Sequence, residues 1–431
     1  MSHELFSYFS LDDVNAKLFA LNEQLPLSKN VDILFEQTNL LDFCVNNRIV
    51  FQPIEGNDCD KKRQPSDTTR HRYIKYAIGG PGIIWFETVA VVPQGCGQKK
   101  QLVLTEENVG AFSSLVNDIK QRCQKENGYE PLVIIQAGHA GRYSKNGKYR
   151  KPIIPWNNPL FEMNGPVDSE YIIGNEELQR LEESYGQFAR LAYSAGFDGV
   201  DIKSCHLNLI NELFSAHERP GPYGGSFENR MRFLVNCFDA AKANTNSGFI
   251  LTTRMNVFDG FPYPFGFGAK KQNGLVPDTS EPIKIIQQLR KKFNLQLVNL
   301  SMGNPFINPH ISRPFDHGTY IPNEHPFTSL ARIVRCVGEI QKACPNVSVV
   351  ASSLSYLRQF SPYLASGILE QGSATYVGFG RMALANPNFP RQLQKTKSID
   401  INQVCLACGA CSNMFINKQP VSCRITNQAF H

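Results

Sequence analysis

Short apolar runs alternate with longer amphipathic segments along the chain. Within each short run the apolar residues stand at consecutive positions, which is the pattern of strands buried on both faces. Such strands need covering elements on both sides of their sheet. Eight runs have this pattern, at residues 48–53, 82–87, 132–137, 199–203, 249–254, 297–301, 347–352 and 376–379.

The segments between the runs have the spacing of amphipathic helices. The clearest of them cover residues 106–125, 176–195, 228–242, 283–293 and 328–344. Thr105 and Asn175 stand where helix N-caps are expected, and Gly196 stands where a helix should end. Strand–helix alternation repeated eight times predicts an α/β fold, specifically a (β/α)8 TIM barrel.

The chain is longer than the roughly 250 residues of a simple barrel, and the excess lies after the strands. Long segments follow the third, fifth and sixth runs, at residues 138–174, 256–280 and 302–325. Loops after strands form the active face of a TIM barrel, so we expect the functional side chains there. The expected domains are an N-terminal helical extension at 1–40, the barrel at 41–396 and a tail at 397–431.

Composition narrows the class of protein. Of the 431 residues, 42% are hydrophobic and 19% are charged, which excludes a disordered chain, a coiled coil and a collagen-like fibre. No apolar run approaches the roughly 18 residues that span a bilayer. The first residues carry acidic side chains and do not have the pattern of a signal peptide. We therefore expect a cytoplasmic protein without a membrane partner.

The net charge of +6 is mild for this length. The basic clusters are separated by neutral loops and form no continuous stripe, so we expect no nucleic-acid partner. One cluster, at residues 145–151, lies in the segment after the third run, where it would attract an anionic substrate. The alternative is that these side chains only solvate a loop.

Four of the twelve cysteines are crowded into the tail. Cys405, Cys408 and Cys411 are spaced three apart, and eleven residues separate Cys411 from Cys423. Three thiolates at this spacing with a remote fourth are typical of ferredoxin-type [4Fe–4S] ligation. Structural zinc is the alternative, although it more often has two separated CxxC pairs. The pattern predicts a metal site and favours the iron–sulfur cluster.

Four motifs resemble those of the old yellow enzyme family of FMN-dependent oxidoreductases. They are QAGHAGR at 136–142, AGFDGVD at 195–201, YGGSFENR at 223–230 and GFGR at 378–381. With the cysteine tail, residues 40–425 resemble the amino-terminal part of 2,4-dienoyl-CoA reductase, enoate reductase and trimethylamine dehydrogenase. The resemblance implies FMN, a [4Fe–4S] cluster and NAD(P)H as an electron donor in simpler members.

The resemblance also implies which residues contact FMN. Arg254 would lie near N1 and O2 of the flavin, where a guanidinium stabilises the reduced anion. The other residues expected around the ring system are Pro53, Ile54, Glu55, Thr88 and Gln136. The residues expected around the phosphate are Ser352, Ser353, Gly380 and Arg381.

The chain departs from the family pattern where substrate is anchored. Lys203 stands at one histidine position, His206 keeps the other, and Asn208 stands at the position of the tyrosine proton donor. The proton donor is therefore open among His206, Lys203, Tyr143 and a loop tyrosine. A buried ammonium without a carboxylate partner is costly, so Lys203 also suggests an anionic substrate or a developing enolate.

These features predict an FMN- and [4Fe–4S]-dependent ene-reductase that reduces an enone or enoate by hydride transfer from flavin N5. No GxGxxG follows a strand, so electrons should come from a separate donor protein or directly from NAD(P)H. Two alternatives stay open: an amine-type dehydrogenase or demethylase that passes electrons out, and a non-catalytic electron-transfer subunit. A homo-oligomer is compatible with either direction of electron flow.

Overall fold

The computed structural model describes residues 3–145, 151–162 and 165–426. Its centre is a closed barrel of eight parallel strands, in which the last strand pairs with the first. This confirms the predicted (β/α)8 barrel, and all eight predicted runs contain a barrel strand. The barrel strands are β3 (Ile49–Phe51), β4 (Ile83–Ala90), β5 (Leu132–Gly138), β6 (Gly199–Ile202), β7 (Ile250–Asn256), β10 (Leu297–Ser301), β11 (Ser348–Ala351) and β12 (Tyr376–Phe379).

Two small antiparallel hairpins lie outside the barrel. The first, β1 (Thr38–Leu40) with β2 (Phe43–Val45), precedes the first barrel strand. The second, β8 (Ala269–Lys270) with β9 (Asn273–Pro277), lies within the long segment after β7. The first hairpin contributes Leu40 and Val45 to the apolar cluster of the barrel interior.

Helices cover the outer face of the barrel and fill the loops. Long helices follow most strands, and short ones lie in the connections after β6, β10 and β12. The helices are α1 (Leu11–Leu21), α2 (Asp67–Gly79), α3 (Val109–Asn127), α4 (Asn175–Ser194), α5 (Leu209–Phe214), α6 (Phe227–Ala243), α7 (Ser280–Phe293), α8 (Pro309–Ser312), α9 (Pro326–Ala343), α10 (Ser361–Glu370), α11 (Arg381–Ala385), α12 (Phe389–Thr396) and α13 (Ala410–Ile416).

Two of the predicted helix starts are displaced. Helix α3 begins at Val109 because the side-chain oxygen of Asn108 accepts the Thr105 amide, which closes a turn before the helix. Helix α4 begins at Asn175 itself, with Gly174 as its N-cap. Gly196 does end α4, with a φ of 86° that a glycine adopts without strain.

The side chains inside the barrel change from apolar to polar along its axis. At the amino ends of the strands, Val50, Ile83, Trp85 and Ile134 belong to one buried apolar cluster. Towards the carboxyl ends, inward positions carry polar groups, and Gln52 and Asn299 hydrogen-bond each other at 2.9 and 3.2 Å. An apolar floor below a polar rim places the chemistry at the carboxyl end of the barrel.

The cysteine tail folds back onto this polar end. The amide of Val421 donates to the carbonyl of Gly56, in the loop after β3, at 2.8 Å. The ring of Phe415 in α13 stacks on Phe306, in the loop after β10, with 5.9 Å between centroids. The tail therefore forms part of the active-face wall. Among the described residues, no helix has the length and apolar character needed to cross a membrane.

Candidate active site

A cavity of about 210 Å³ opens at the carboxyl end of the barrel. All ten residues expected to contact FMN line it, together with the two anchor candidates. These twelve are Pro53, Ile54, Glu55, Thr88, Gln136, Lys203, His206, Arg254, Ser352, Ser353, Gly380 and Arg381. They come from seven strands and the loops after them, because the carboxyl ends of parallel barrel strands converge at one rim.

A chain of buried hydrogen bonds orients the polar groups of this rim. Lys203 Nζ donates to Thr88 Oγ1 at 2.9 Å, and Thr88 Oγ1 donates to Gln136 Oε1 at 2.6 Å. Gln136 Nε2 donates to Asp201 at 2.6 Å, and Trp85 Nε1 donates to the same carboxylate at 2.7 Å. The Gln136 amide is thus held at both ends, which fixes the direction of its remaining donor and acceptor sites.

Asp201 lies at the inner end of this chain. It also accepts the backbone amide of Arg254 at 2.5 Å. Burial raises the pKa of Asp201 to about 6, and the donors from Gln136, Arg254 and Trp85 oppose that rise. The sequence motif at 195–201 includes this residue, but the pattern did not indicate that it positions Gln136.

Lys203 is paired with a carboxylate, which corrects one expectation. Its Nζ lies 3.3 Å from Oε1 of Glu55, and the lysine side chain is 6% exposed. The expected cost of an unpaired buried ammonium is therefore already offset inside the protein. The argument from that cost to an anionic substrate no longer holds. Glu55 was expected beside the flavin, and the structure adds that it is the ion-pair partner of Lys203.

His206 is held as a neutral group. Its backbone has a φ of 64°, and its Nε2 shares a hydrogen bond of 2.8 Å with Ser301 Oγ. Burial, together with the positive charges of Arg254, Lys203 and Arg313, holds the pKa of His206 well below its ordinary value. At neutral pH the ring can hydrogen-bond a substrate oxygen but carries no charge.

Three guanidinium groups line the cavity, from Arg254, Arg313 and Arg381. Buried guanidinium atoms of Arg254 (Nε) and Arg381 (Nη1) have no hydrogen-bond partner among the described residues. Unsatisfied buried donors are costly, and an anionic ligand would satisfy them. The donor set fits a flavin mononucleotide, with Arg254 in β7 suited to the ring system and Arg381 after β12 suited to the phosphate.

Ser352 and Ser353 donate their hydroxyl protons to backbone carbonyls. Ser352 Oγ donates to the carbonyl of Leu300 at 2.8 Å, and Ser353 Oγ donates to that of Ser312 at 2.6 Å. Ser353 has a left-handed φ of 72° before the turn at 354–360. What these serines can offer a phosphate is therefore their backbone, as expected for Gly380 and Arg381 as well.

Tyr143 does not line the cavity. Its hydroxyl accepts a hydrogen bond from Asn304 Nδ2 at 3.0 Å, and its ring packs on Phe306 with 5.0 Å between centroids. Asn304 also donates to the carbonyl of His206 at 2.9 Å. Tyr143 thus lies behind the wall formed by Phe306 and supports the loop that carries His206.

The four tail cysteines surround a second, smaller cavity. Cys405, Cys408, Cys411 and Cys423 all line it, and no carboxylate does so among the described residues. The amide of Ala407 donates to Cys405 Sγ at 3.4 Å. Burial raises the pKa of the Cys405 thiol, while Arg381 lowers it. Gly409, with a φ of 74°, makes the turn between Cys408 and Cys411.

The donor set of this second cavity is purely thiol. Within residues 3–145, 151–162 and 165–426, no three His, Cys, Asp or Glu side chains form a group able to hold a metal ion. A cubane cluster binds each thiolate through a separate iron. Four thiols placed around a cavity, with an amide donating to one sulfur, are therefore chemically suited to such a cluster.

The two cavities adjoin each other. Cys411 and Arg381 line both of them. The tail also supplies Phe415, Ile416 and Val421 to the wall of the larger cavity. The sequence did not indicate these three residues or Arg313 as parts of the site, because only the folded chain brings the tail to the barrel rim. The basic cluster at 145–151, which was expected to attract an anionic substrate, is only partly described: Lys148 and Arg150 lie outside the described residues.

A parallel barrel with an anion-suited cavity at its carboxyl rim and a thiol cluster beside it is the architecture of a flavin-dependent oxidoreductase. The sequence profile of the NADH:flavin oxidoreductase / NADH oxidase family matches residues 33–274. The chain belongs to this family, which confirms the resemblance to old yellow enzyme.

Two curated relatives differ in how much of them the chain covers. An NADPH dehydrogenase of Bacillus licheniformis is 32% identical over 84% of this chain and 94% of its own length. An NADH oxidase of Thermoanaerobacter brockii is 26% identical over 87% of this chain. The chain spans about half of the second relative, 52% of its length.

Solved structures share the fold at low identity. A 2-naphthoyl-CoA reductase complex superposes with a TM-score of 0.75 and 18% identity, covering 92% of this chain and 57% of the other. Histamine dehydrogenase from Rhizobium sp. 4-9 gives a TM-score of 0.70 and 19% identity, covering 91% and 52%. These likenesses support the barrel alone.

Proposed function

We propose that this protein is an FMN- and [4Fe–4S]-dependent oxidoreductase that reduces an activated C=C bond of an enone or enoate. The observation that carries the proposal is the junction of the two cavities at Cys411 and Arg381. A one-electron carrier held by the cysteines would lie next to a two-electron carrier held in the barrel. Such a pair collects single electrons and delivers them as hydride.

Bound FMN would supply the hydride, and the side chains of this chain would bind and orient. Arg254 supplies positive charge beside the ring system, which favours the reduced anion. The amide of Gln136, held by Thr88 and Asp201, recognises the edge of the ring. Neutral His206 would hydrogen-bond the substrate oxygen, and the positive charge of Lys203 would stabilise the negative charge that develops on the substrate.

The charge of the cavity favours reduction over amine oxidation. Its walls contain Lys203 and three guanidinium groups, against the single carboxylate of Glu55, which is already paired. A cationic amine would be repelled by these groups, and the described lining residues offer it no unpaired carboxylate. An amine dehydrogenase remains the second candidate, and a turnover screen separates the two.

Electrons would come from a separate donor protein through the cluster, or from NAD(P)H. The name NADPH dehydrogenase, borne by the Bacillus licheniformis relative, supports the second source. The neighbouring Cys411 supports the first. Comparing turnover of a Cys411→Ser variant with NADPH and with a one-electron dye tests the two routes: loss of the cluster should slow the dye-driven reaction more, because hydride from NADPH can pass directly to the flavin.

The cofactor content is the first test. Anaerobically purified protein should contain about one FMN and about four irons per chain, with a broad iron–sulfur absorption beside the flavin bands. Zinc without iron would contradict the cluster and leave the barrel assignment standing. Absence of flavin from a folded, anaerobic preparation reconstituted with FMN would contradict the proposal as a whole.

The substrate class is the second test. Enones, enoates and amines are offered to the anaerobic protein, with reduced dye for the first two and oxidised dye for the amines. We expect turnover of C=C substrates only. Oxidation of amines without any C=C reduction would instead favour the dehydrogenase, and no turnover in either direction would favour an electron-transfer subunit.

A further inference from the structure

The cavity contains few groups that can release a proton. Arginine does not deprotonate in proteins, and Cys411 is needed as a thiolate if it binds a cluster. Among the described lining residues there is no tyrosine. His206 is neutral and shares its Nε2 hydrogen bond with Ser301. Among the described lining residues, Lys203 and Glu55 then remain as the groups that can carry a transferable proton.

The hydrogen bonds of Lys203 position its ammonium group at the rim. Of the three hydrogens of its ammonium, one is donated to Thr88 Oγ1 at 2.9 Å and one to Glu55 Oε1 at 3.3 Å. The third is left for the cavity that Lys203 lines. Because Thr88 donates its own proton onward to Gln136, its oxygen can only accept from Lys203, which fixes the ammonium in place.

Glu55 connects this buried ammonium to water. Its side chain is 24% exposed, whereas that of Lys203 is 6% exposed. The next residue, Gly56, donates its amide to Glu87 at 2.8 Å and accepts the Val421 amide at 2.8 Å. These bonds hold the loop on both sides, so that the carboxylate stays between Lys203 and solvent.

We propose that Lys203 protonates the substrate carbon next to the activating group and that Glu55 returns a proton from solvent to Lys203. This inference rests on the proposed function. In the reduction for which bound FMN would supply hydride to the β-carbon, the Nζ–H bond of Lys203 would break, its electron pair would stay on Nζ, and the electron pair of the resulting enolate would form the new C–H bond at the α-carbon. Glu55 would then take a proton from a solvent water, leaving hydroxide in the solvent, and pass it to Nζ, which restores the ammonium and the carboxylate.

Other charged groups face Lys203 and set the conditions of this transfer. The titratable or charged side chains on the elements packed around it are Glu55, Arg254, His206, Cys205 and Asp201. Glu55 lies in direct contact and opposes the positive charge of Arg254. Removing its charge should therefore make Lys203 a stronger acid and a poorer store of the proton.

The first experiment follows the α-carbon of the product. An α-methyl enone is reduced in D2O by the holoenzyme, and the configuration and deuterium content at the α-carbon are measured. We expect one α-configuration from the parent. Lys203→Met should give a near-racemic α-centre, because water then protonates from both faces. An unchanged α-configuration in Lys203→Met with retained turnover would overturn Lys203 as the donor.

The second experiment tests the relay, which is the proton transfer from solvent through Glu55 to Lys203. Glu55→Gln should turn over roughly a hundredfold more slowly, the scale of general acid–base catalysis, with its α-configuration retained. Glu55→Asp should recover part of the rate. The matched control is Glu36→Gln, which removes an exposed carboxylate paired with Arg48 before β3, and it should keep the parent rate. Parent turnover in Glu55→Gln would overturn the relay.

A third readout does not depend on turnover. Acetylation of Lys203 at one fixed pH, followed by mass spectrometry of the FMN-loaded protein, reports how accessible the free amine is to the reagent. Glu55→Gln should raise the rate of Lys203 acetylation severalfold, because the ammonium loses its carboxylate partner, and Glu36→Gln should not. An unchanged rate would contradict the coupling. If the parent reduces no C=C substrate, the proposed function fails first, and the inference fails with it.

Discussion

Arg254 shows how one side chain can set the chemistry of the cavity. Its backbone amide is held by Asp201, and its buried Nε has no hydrogen-bond partner among the described residues. This unused donor is available to a ligand anion. In the flavin-loaded protein that anion would be the reduced ring system.

We predict that Arg254→Ala lowers the flavin midpoint potential by about 30 to 60 mV, since a charged hydrogen bond contributes about 1.5 to 3 kcal/mol to the reduced form. Arg254→Lys should recover part of the shift because it keeps the charge. Redox titration of FMN-saturated protein measures the change. Equal potentials in the parent and Arg254→Ala would show that this guanidinium does not reach the ring.

A second residue-scale effect concerns pH. His139 is 1% exposed, and burial lowers its pKa to about 4. Between pH 4 and 6.5 the folded protein therefore binds fewer protons at this site than the unfolded chain. The folding stability linked to the neutral ring is fully present above pH 6.5 and is lost as the pH falls towards 4.

We predict that, between pH 7.5 and pH 5, the free energy of unfolding falls by about 2 kcal/mol more in the parent than in His139→Asn. The figure follows because pH 5 lies about 1.5 pH units below the ordinary histidine pKa of about 6.5. Urea unfolding at the two pH values measures it. His317→Asn, at an exposed position, is the control and should follow the parent. Identical acid sensitivity of the parent and His139→Asn would contradict the argument.

At the scale of elements, the tail forms part of the wall of the larger cavity and also contains the four clustered cysteines. Helix α13 supplies Phe415 and Ile416 to the larger cavity, and the segment after it supplies Val421. The Phe415–Phe306 stack joins this helix to the loop after β10. Flavin binding and tail folding should therefore depend on each other.

We predict that Phe415→Ala weakens FMN binding about tenfold to a hundredfold, because removing the ring loses roughly 1.5 to 3 kcal/mol of apolar burial at the cavity wall. Recovery of free-flavin fluorescence on dilution measures the dissociation constant. Phe19→Ala in α1 is the control, since that ring is 89% exposed and lies in the N-terminal helix. Equal affinity in the parent and Phe415→Ala would show that the tail is not part of the flavin site.

At the scale of the whole molecule, the barrel has an apolar floor and a cationic rim. The cluster of Val50, Ile83, Trp85 and Ile134 closes the interior below, and three guanidinium groups remain around the cavity above. Filling this rim with an anion should stabilise the folded chain by mass action.

We predict that FMN at about 100 times its dissociation constant raises the thermal midpoint by about 3 °C, equivalent to about 2.7 kcal/mol in a chain of this length. Riboflavin at the same concentration should raise it less, because it lacks the phosphate that Arg381 would bind. Circular dichroism melts measure both ligands. An equal shift with riboflavin would contradict the assignment of Arg381 to the phosphate.

Much of the fold and part of the site could be predicted from the sequence. Strands buried on both faces need continuous apolar runs, and this local requirement located all eight barrel strands. The carboxyl ends of parallel strands converge, so residues at or just after the ends of those runs, such as Thr88, Gln136 and Arg254, had to meet at one rim. The spacing of Cys405, Cys408 and Cys411 likewise follows from a single short turn of chain.

Other features depend on contacts between distant parts of the chain. Glu55 and Lys203 are 148 positions apart, and no local pattern tells that their side chains form a pair. Tyr143 looked like a proton donor by its place after a strand, but packing on Phe306 puts it behind the wall. The meeting of Cys411 with the barrel cavity also depends on how the tail folds back.

The sequence by itself therefore determined the barrel and the thiol set, because periodicity and spacing act over a few residues, and its resemblance to a known family indicated the residues of the rim. Only the tertiary structure decided that Lys203 is neutralised by Glu55 and that the cysteine cavity opens beside the flavin cavity. Ion pairing and cavity walls are set by side chains that meet through folding, and their energies depend on burial that a linear pattern does not contain.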